Sequence, residues 1–260
     1  MRTIRLEAEY DGSLFKGFAD QPNERTVQGT LKGALEKACG GHIKIAAASR
    51  TDSGVHALGQ TISFCTSCPI PAERFPQALR AFLPEDINIK SAKEVKEGFD
   101  PRRAARKKKY SYFIFSGRET SPMVARYVWR VSPGLDVASM KKAARLIVGR
   151  RDFFSFAATD RRRKIKRPVK KIYSIRFAEG NVKKFFGELA GEGRGKMIRI
   201  DFIGDSFLYK MVRTIVGTLV DVGEGRIKAS TLPDILRSKD RARAGRTAPA
   251  RGLFLVKVYY

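Results

Sequence analysis

The chain is short of the residues that brace small extracellular or membrane proteins. Its 260 residues include three cysteines, two histidines and one tryptophan. A sparse, odd cysteine set excludes a disulfide scaffold and agrees with a reducing compartment. Long hydrophobic runs are missing too. The longest uncharged stretch, Ser53–Ala72, is interrupted by His56, Gln60, Pro69 and Pro71 and by several hydroxyls, so it reads as no membrane span. Met1-Arg2-Thr3-Ile4-Arg5-Leu6-Glu7 enters alternation at once, without an apolar signal core, and the cytoplasm is the expected compartment. No glycine-rich phosphate loop occurs. Acid is scarce: 26 Asp and Glu stand against 52 Lys and Arg, a net charge of +26.

What remains is a globular composition, 43% hydrophobic and 30% charged, which excludes wholesale disorder and collagen. The length suits one large domain or two coupled ones, with a core that needs no disulfide or metal merely to fold. The charge is unevenly placed. Residues 1–100 carry 13 basic and 13 acidic side chains, whereas residues 101–260 carry 39 and 13. A field confined to one region points to a polyanionic partner, drawn by Coulomb steering and counterion release, and nucleic acid is the expected class.

Periodicity predicts strands at Ile4–Tyr10, Ile43–Ala48, Gln60–Phe64, Lys109–Phe115, Lys171–Ala178, Lys196–Ile203 and Gly252–Tyr260. Helices are predicted from Thr26, as N-cap, to Lys37, and over Ala72–Phe82, Ala138–Val148, Lys210–Val222 and Leu232–Ser238. This inventory gives an α/β (α+β) chain with a large mixed or antiparallel sheet. Ile4-Arg5-Leu6-Glu7 followed by Asp11-Gly12-Ser13 is echoed by Ile198-Arg199-Ile200-Asp201 followed by Gly204-Asp205-Ser206, and each leads to a helix containing Gly-Thr-Leu. The echo suggests two related subdomains facing one another across a cleft. With the charge break it divides the chain into residues 1–104 and residues 105–260.

Two basic runs mark the second part. Arg102–Lys109 contains Arg102, Arg103, Arg106, Lys107, Lys108 and Lys109 just before Tyr110, Tyr112, Phe113 and Phe115. Arg161–Lys171 contains Arg161, Arg162, Arg163 and Lys164, and its Pro168 makes it a loop or strand lead-in. Cations beside aromatics suit a phosphate backbone with an unstacked base.

Asp52 is the most informative position. In Ser49-Arg50-Thr51-Asp52-Ser53-Gly54-Val55-His56 a carboxylate sits in a short loop between two apolar strands, two residues from an arginine. In isolation, Asp-Ser-Gly is also ordinary turn chemistry. Together with five further segments, the loop closely resembles the tRNA pseudouridine synthase A (TruA) family. Those segments are Tyr10–Phe18 with Gln21-Pro22-Asn23 and Thr26–Gly29, Phe99–Arg102 with Lys109–Tyr112, Asp152–Phe156, Phe207–Gly217, and Ala248–Leu253. The resemblance spans essentially the whole chain in the family's order. Departures are Ser49 for the usual Gly, Ser53 for Ala, and Arg151 for the common His before Asp-Phe.

The resemblance implies two ferredoxin-like or RRM-like subdomains joined through a large, mostly antiparallel sheet with a central basic cleft. It implies isomerisation of uridine to pseudouridine at positions 38, 39 and 40 of the tRNA anticodon stem-loop, by a homodimer without cofactor. Asp52 takes the carboxylate's role at the sugar, as nucleophile or as base. Arg213, on the C-terminal helix, takes the guanidinium's role of opposing the penalty of burying that charge. Arg50 would hold the flipped nucleotide or fill the vacated stack, and Tyr110 would stack on uracil or handle a proton. His56 reads as structural. Other readings are a pseudouridine synthase for another RNA and a non-catalytic binder of structured RNA.

One expectation comes from the residues alone. Cys39-x-x-His42 and Cys65-x-x-Cys68 hold all three cysteines and one of the two histidines. Pairing of the strands around the Asp52 loop would bring His42 towards Cys65, four N and S donors that could hold a structural zinc. The alternative is small buried thiols and a solvated imidazole.

Overall fold

The computed structural model describes residues 1–158, 165, 167–188 and 194–260, and the chain divides into two compact units. The first comprises Met1–Arg106 and Phe254–Tyr260; the second is Lys107–Leu253. The division at 104/105 placed the closing strand with the second part. By its contacts that strand counts with the first unit, because Phe254 and Leu255 pair in parallel with His56 and Ala57.

In the first unit, β1 (Arg2–Tyr10), β3 (His56–Thr66) and β4 (Ile87–Val95) form an antiparallel sheet in the order β4-β1-β3, and β10 (Leu253–Tyr259) lies on β3. Strand β1 alternates as its sequence does, with Ile4, Leu6, Ala8 and Tyr10 turned into the core. The short β2 (Ile45–Ala47) pairs with β3 at Ile45↔Phe64 and Ala47↔Ile62, the hairpin expected around the Asp52 loop. Helix α1 (Val27–Cys39) starts at Thr26, whose hydroxyl accepts the Gly29 N–H at 3.2 Å, and stops at Gly40 in a left-handed conformation. The helix expected over Ala72–Phe82 is a 3₁₀ turn, Ala72–Arg74, running into the shorter α2 (Phe75–Arg80). Phe75 of α2 meets Phe64 edge-on, with centroids 5.3 Å apart, and Leu31 and Leu35 of α1 are buried.

The second unit runs β5 (Lys107–Gly117), α3 (Pro122–Ala125), β6 (Trp129–Val131), α4 (Val137–Leu146), β7 (Gly149–Asp152), β8 (Val169–Gly180), α5 (Val182–Phe186), β9 (Gly195–Gly204), α6 (Met211–Gly223) and α7 (Leu232–Ser238). Its strands order as β5-β9-β8-β7, all antiparallel neighbours, with β6 added parallel to β5. Tyr110 of β5 pairs across from Phe202 of β9. Mostly apolar, α6 is a core helix, and each of its residues but Arg213 is buried.

Candidate active-site loop and its supports

The Ser49–His56 segment leaves β2 and enters β3. Main-chain bonds tie it to the chain behind: Phe18 N–H donates to Thr51 O at 3.0 Å, Gly54 N–H to Phe15 O at 3.3 Å, and Ala48 N–H to Thr61 O at 2.9 Å. Fully buried Gln60 clamps Ser49 at both backbone groups, its Nε2 donating to Ser49 O at 2.7 Å and its Oε1 accepting the Ser49 N–H at 3.2 Å. The buried Thr51 hydroxyl lies 2.8 Å from Tyr10 Oη. Asp52, the next residue, is half-buried, and Arg50 is exposed. The carboxylate therefore sits on a backbone whose neighbours on either side are already fixed, the preorganisation that a reacting group requires.

His56 is the structural residue of this group. It is 1% exposed, and its ring stacks on Phe254 with centroids 4.5 Å apart. Its Nδ1 accepts the Gly12 N–H at 3.1 Å, while Asp11 Oδ1 is also 3.1 Å away. Glycine is required at position 12: a Cβ there would lie 2.1 Å from Val55 O. The Asp11–Phe15 turn is thus packed directly against the Asp52 loop.

In the second unit, Arg213 donates from Nε to Ala248 O at 2.8 Å, and its own carbonyl accepts the Ala248 N–H at 3.1 Å. This two-way link ties α6 to the turn before β10. Tyr112 lies alongside, donating to Pro249 O at 2.7 Å. Burial pushes the Tyr112 phenol far up, only partly opposed by Arg213 and Arg251, so it remains a neutral donor. Tyr110 is buried, edge-on to Phe207 with centroids 5.2 Å apart.

The basic run is not one cationic face. Arg102 and Arg103 are exposed, and their backbone N–H groups are capped by Asp100 Oδ1 at 2.8 and 3.1 Å. Strand alternation then leaves Lys107 exposed and turns Lys108 inward, while Lys109 Nζ pairs with Asp201 at 3.3 Å. Arg161, Arg162, Arg163 and Lys164 lie outside the described residues.

The zinc expectation is corrected. Among the described residues no three His, Cys, Asp or Glu side chains come together to hold a metal. The hairpin forms as expected, but β3 turns Cys65 outward to within 3.5 Å of the Thr3 hydroxyl, while Cys68 is buried. His42 instead pairs with Glu36 at 2.8 Å. Cys39 does meet Cys68, and burial with that contact pushes the Cys39 thiol up to about 11, but among the described residues no third donor joins the two.

Tyr10, Gln60 and Tyr112 were not singled out from the sequence. Gln60 carried a signal, as a lone amide in an apolar strand that needs partners when buried. Tyr10 and Tyr112 read simply as strand aromatics.

A family model described as tRNA pseudouridine synthase matches residues 7–102 and 143–260. A tRNA pseudouridine synthase A of Acetivibrio thermocellus is 41% identical over 260 residues, 100% of both chains. One from Bacillus subtilis is 40% identical over 259 residues, covering 99% of this chain and 98% of that one. Among solved structures, a chain of a Cbf5-Nop10-Gar1 complex is 11% identical with a TM-score of 0.32, over 84% of this chain and 54% of that one. This chain thus spans about half the length of that relative, and so slight a likeness bears on neither fold nor chemistry.

Proposed function

Because the chain belongs to the tRNA pseudouridine synthase family, we propose that it isomerises uridine to pseudouridine in the anticodon stem-loop of tRNA, at positions 38, 39 and 40. The observation that carries this reading is the Asp52 loop, a carboxylate held on a backbone anchored through Thr51, Ser49 and Gly54. The reaction breaks the bond from ribose C1′ to uracil N1, turns the base and joins C1′ to C5. C5 gives up a proton and N1 gains one, so no electrons are exchanged and no cofactor is called for.

Asp52 works at the ribose. Arg213 opposes the cost of desolvating that negative charge, and Tyr110 addresses the uracil. Arg50, exposed on the same loop, holds the flipped nucleotide or fills its place in the stack. Flipping costs a few kcal/mol, which contacts to the phosphates offset. The excess of cations in residues 101–260 supplies those contacts, Arg102, Arg103 and Lys107 among them, with Arg161, Arg162, Arg163 and Lys164. The working assembly in this reading is a cytoplasmic homodimer with one tRNA across both subunits.

Mapping pseudouridines in tRNA from cells with and without the protein tests the reaction. Loss confined to positions 38–40 is the expected result. Loss only in other RNAs would move the substrate, and no loss would leave a binding protein. Light scattering at micromolar concentration is expected to give twice the chain mass, and an active monomer would refute the dimer.

Gly12→Ala is expected to lower kcat/KM by about 10²-fold, because a shift of roughly 1 Å at a reacting group has that effect. Urea unfolding would show a loss of about 1–3 kcal/mol from overpacking against Val55. Parent-like activity would show that the turn and the loop move independently.

A further inference from the structure

Tyr173 occupies an irregular position on β8. The pairing with β9 passes from Ile172↔Gly204 to Ser174↔Ile203, so Tyr173 has no residue opposite. A bulge of this kind re-aims the side chain it releases. The ring is 38% exposed, and two ammonium groups gather on it: Lys107 Nζ lies 4.9 Å from its centroid and Lys171 Nζ 5.1 Å.

The ring face attracts each cation, but the two cations repel one another. Several lysines of this unit are neutralised within the protein: Lys109 by Asp201, Lys183 by Glu188, and Lys141 and Lys196 by Glu179. Among the described residues neither Lys107 nor Lys171 has a carboxylate in ion-pair reach. The nearby Asp205 instead accepts the backbone N–H groups of Lys171 and Ser206. Two unneutralised cations, held together by an aromatic side chain and exposed to solvent, lack only an external anion.

The position relates this pair to the uracil-facing residue. Lys107 lies three residues before Tyr110 on β5, about 10 Å along the strand. Phe207, edge-on to Tyr110, also covers Gly204, where a Cβ would meet it at 2.8 Å and Lys171 O at 3.1 Å. A continuous packed path therefore runs from Tyr110 to the Lys171 backbone.

We propose that Lys107, Tyr173 and Lys171 form a clamp for the phosphates of the RNA strand that continues from the target uridine. The proposal rests on the RNA-modifying reading above. The lysines neutralise the phosphates, and the ring holds the ammonium groups in place so that less side-chain freedom is lost on binding.

The test measures anisotropy of labelled tRNA transcript with the full chain, across a series of potassium chloride concentrations. Lys107→Ala with Lys171→Ala is expected to weaken binding about 10-fold and to lower the slope of log K against log salt by about 1.4–1.8, for two contacts each contributing about 0.7–0.9. Tyr173→Phe keeps a ring face and should bind like the parent, whereas Tyr173→Ala should bind about 3-fold more weakly. In the double-lysine background Tyr173→Ala should add nothing. An unchanged salt slope, or a Tyr173→Ala loss of equal size without the lysines, would overturn the clamp. If slopes change as stated but no pseudouridine forms, the clamp stands and the functional reading fails. If pseudouridine forms with unchanged slopes, only the clamp fails.

Discussion

Asp52→Asn is expected to remove pseudouridine formation while RNA binding survives. The substitution keeps the shape of the side chain and alters only its charge and its ability to attack or to take a proton. The loop is anchored through the Thr51 and Asp52 carbonyls, the Gly54 and Val55 N–H groups, the Thr51 hydroxyl and the Gln60 bonds to Ser49. A group that acts as acid, base or nucleophile contributes about 10²–10⁴-fold, so the rate should fall by about 10³-fold or more. An interaction made only in the transition state lowers kcat and leaves the affinity for substrate within about 3-fold. Single-turnover measurement with excess enzyme, beside an RNA titration, separates the two quantities. Multiple turnover by Asp52→Asn would remove the carboxylate from the reaction.

Much of this arrangement is legible in the sequence. The periodic elements were found where the pattern was strong. Alternation gave β1 and helical periodicity gave α6, whereas Arg213 came only from the family resemblance. Strand β4 was missed because it is an edge strand: beyond Ile87 and Ile89 its side chains are mostly exposed, with Lys90 and Lys93 among them, so apolar periodicity has nothing to detect. Strand β3 runs further back than Gln60 because β10, distant in sequence, pairs at His56 and Ala57. No local signal carries such a pairing. The zinc expectation failed for a related reason. Spacing brought two Cys and His pairs into neighbouring segments, but alternation along β3 and the capture of His42 by Glu36 pointed the donors apart. Lys108 likewise belonged to a run of cations, and only the strand's period reveals that it turns inward.

Arg213 carries the second large expectation. Every other residue of α6 is buried, so the helix is held by packing and tolerates a guanidinium only where partners meet it. One partner is Ala248 O, bonded through Nε. The Arg213 charge also reaches Tyr112, whose phenol it pulls down against the larger effect of burial. Arg213→Ala removes the Nε bond and the charge together. It should reduce kcat by about 10²–10³-fold, the range for losing one group that stabilises developing charge. Stability should fall by about 1–3 kcal/mol as Ala248 O loses its partner. Arg213→Lys separates these effects, since it keeps the charge and lacks the Nε donor. If the arginine acts through its charge, the lysine variant recovers a large part of kcat while its urea midpoint stays near that of Arg213→Ala. If the role is only to tie α6 to the Ala248 turn, activity and stability fall in step in both variants. Parent-like kcat in Arg213→Ala would place the guanidinium outside the reaction altogether.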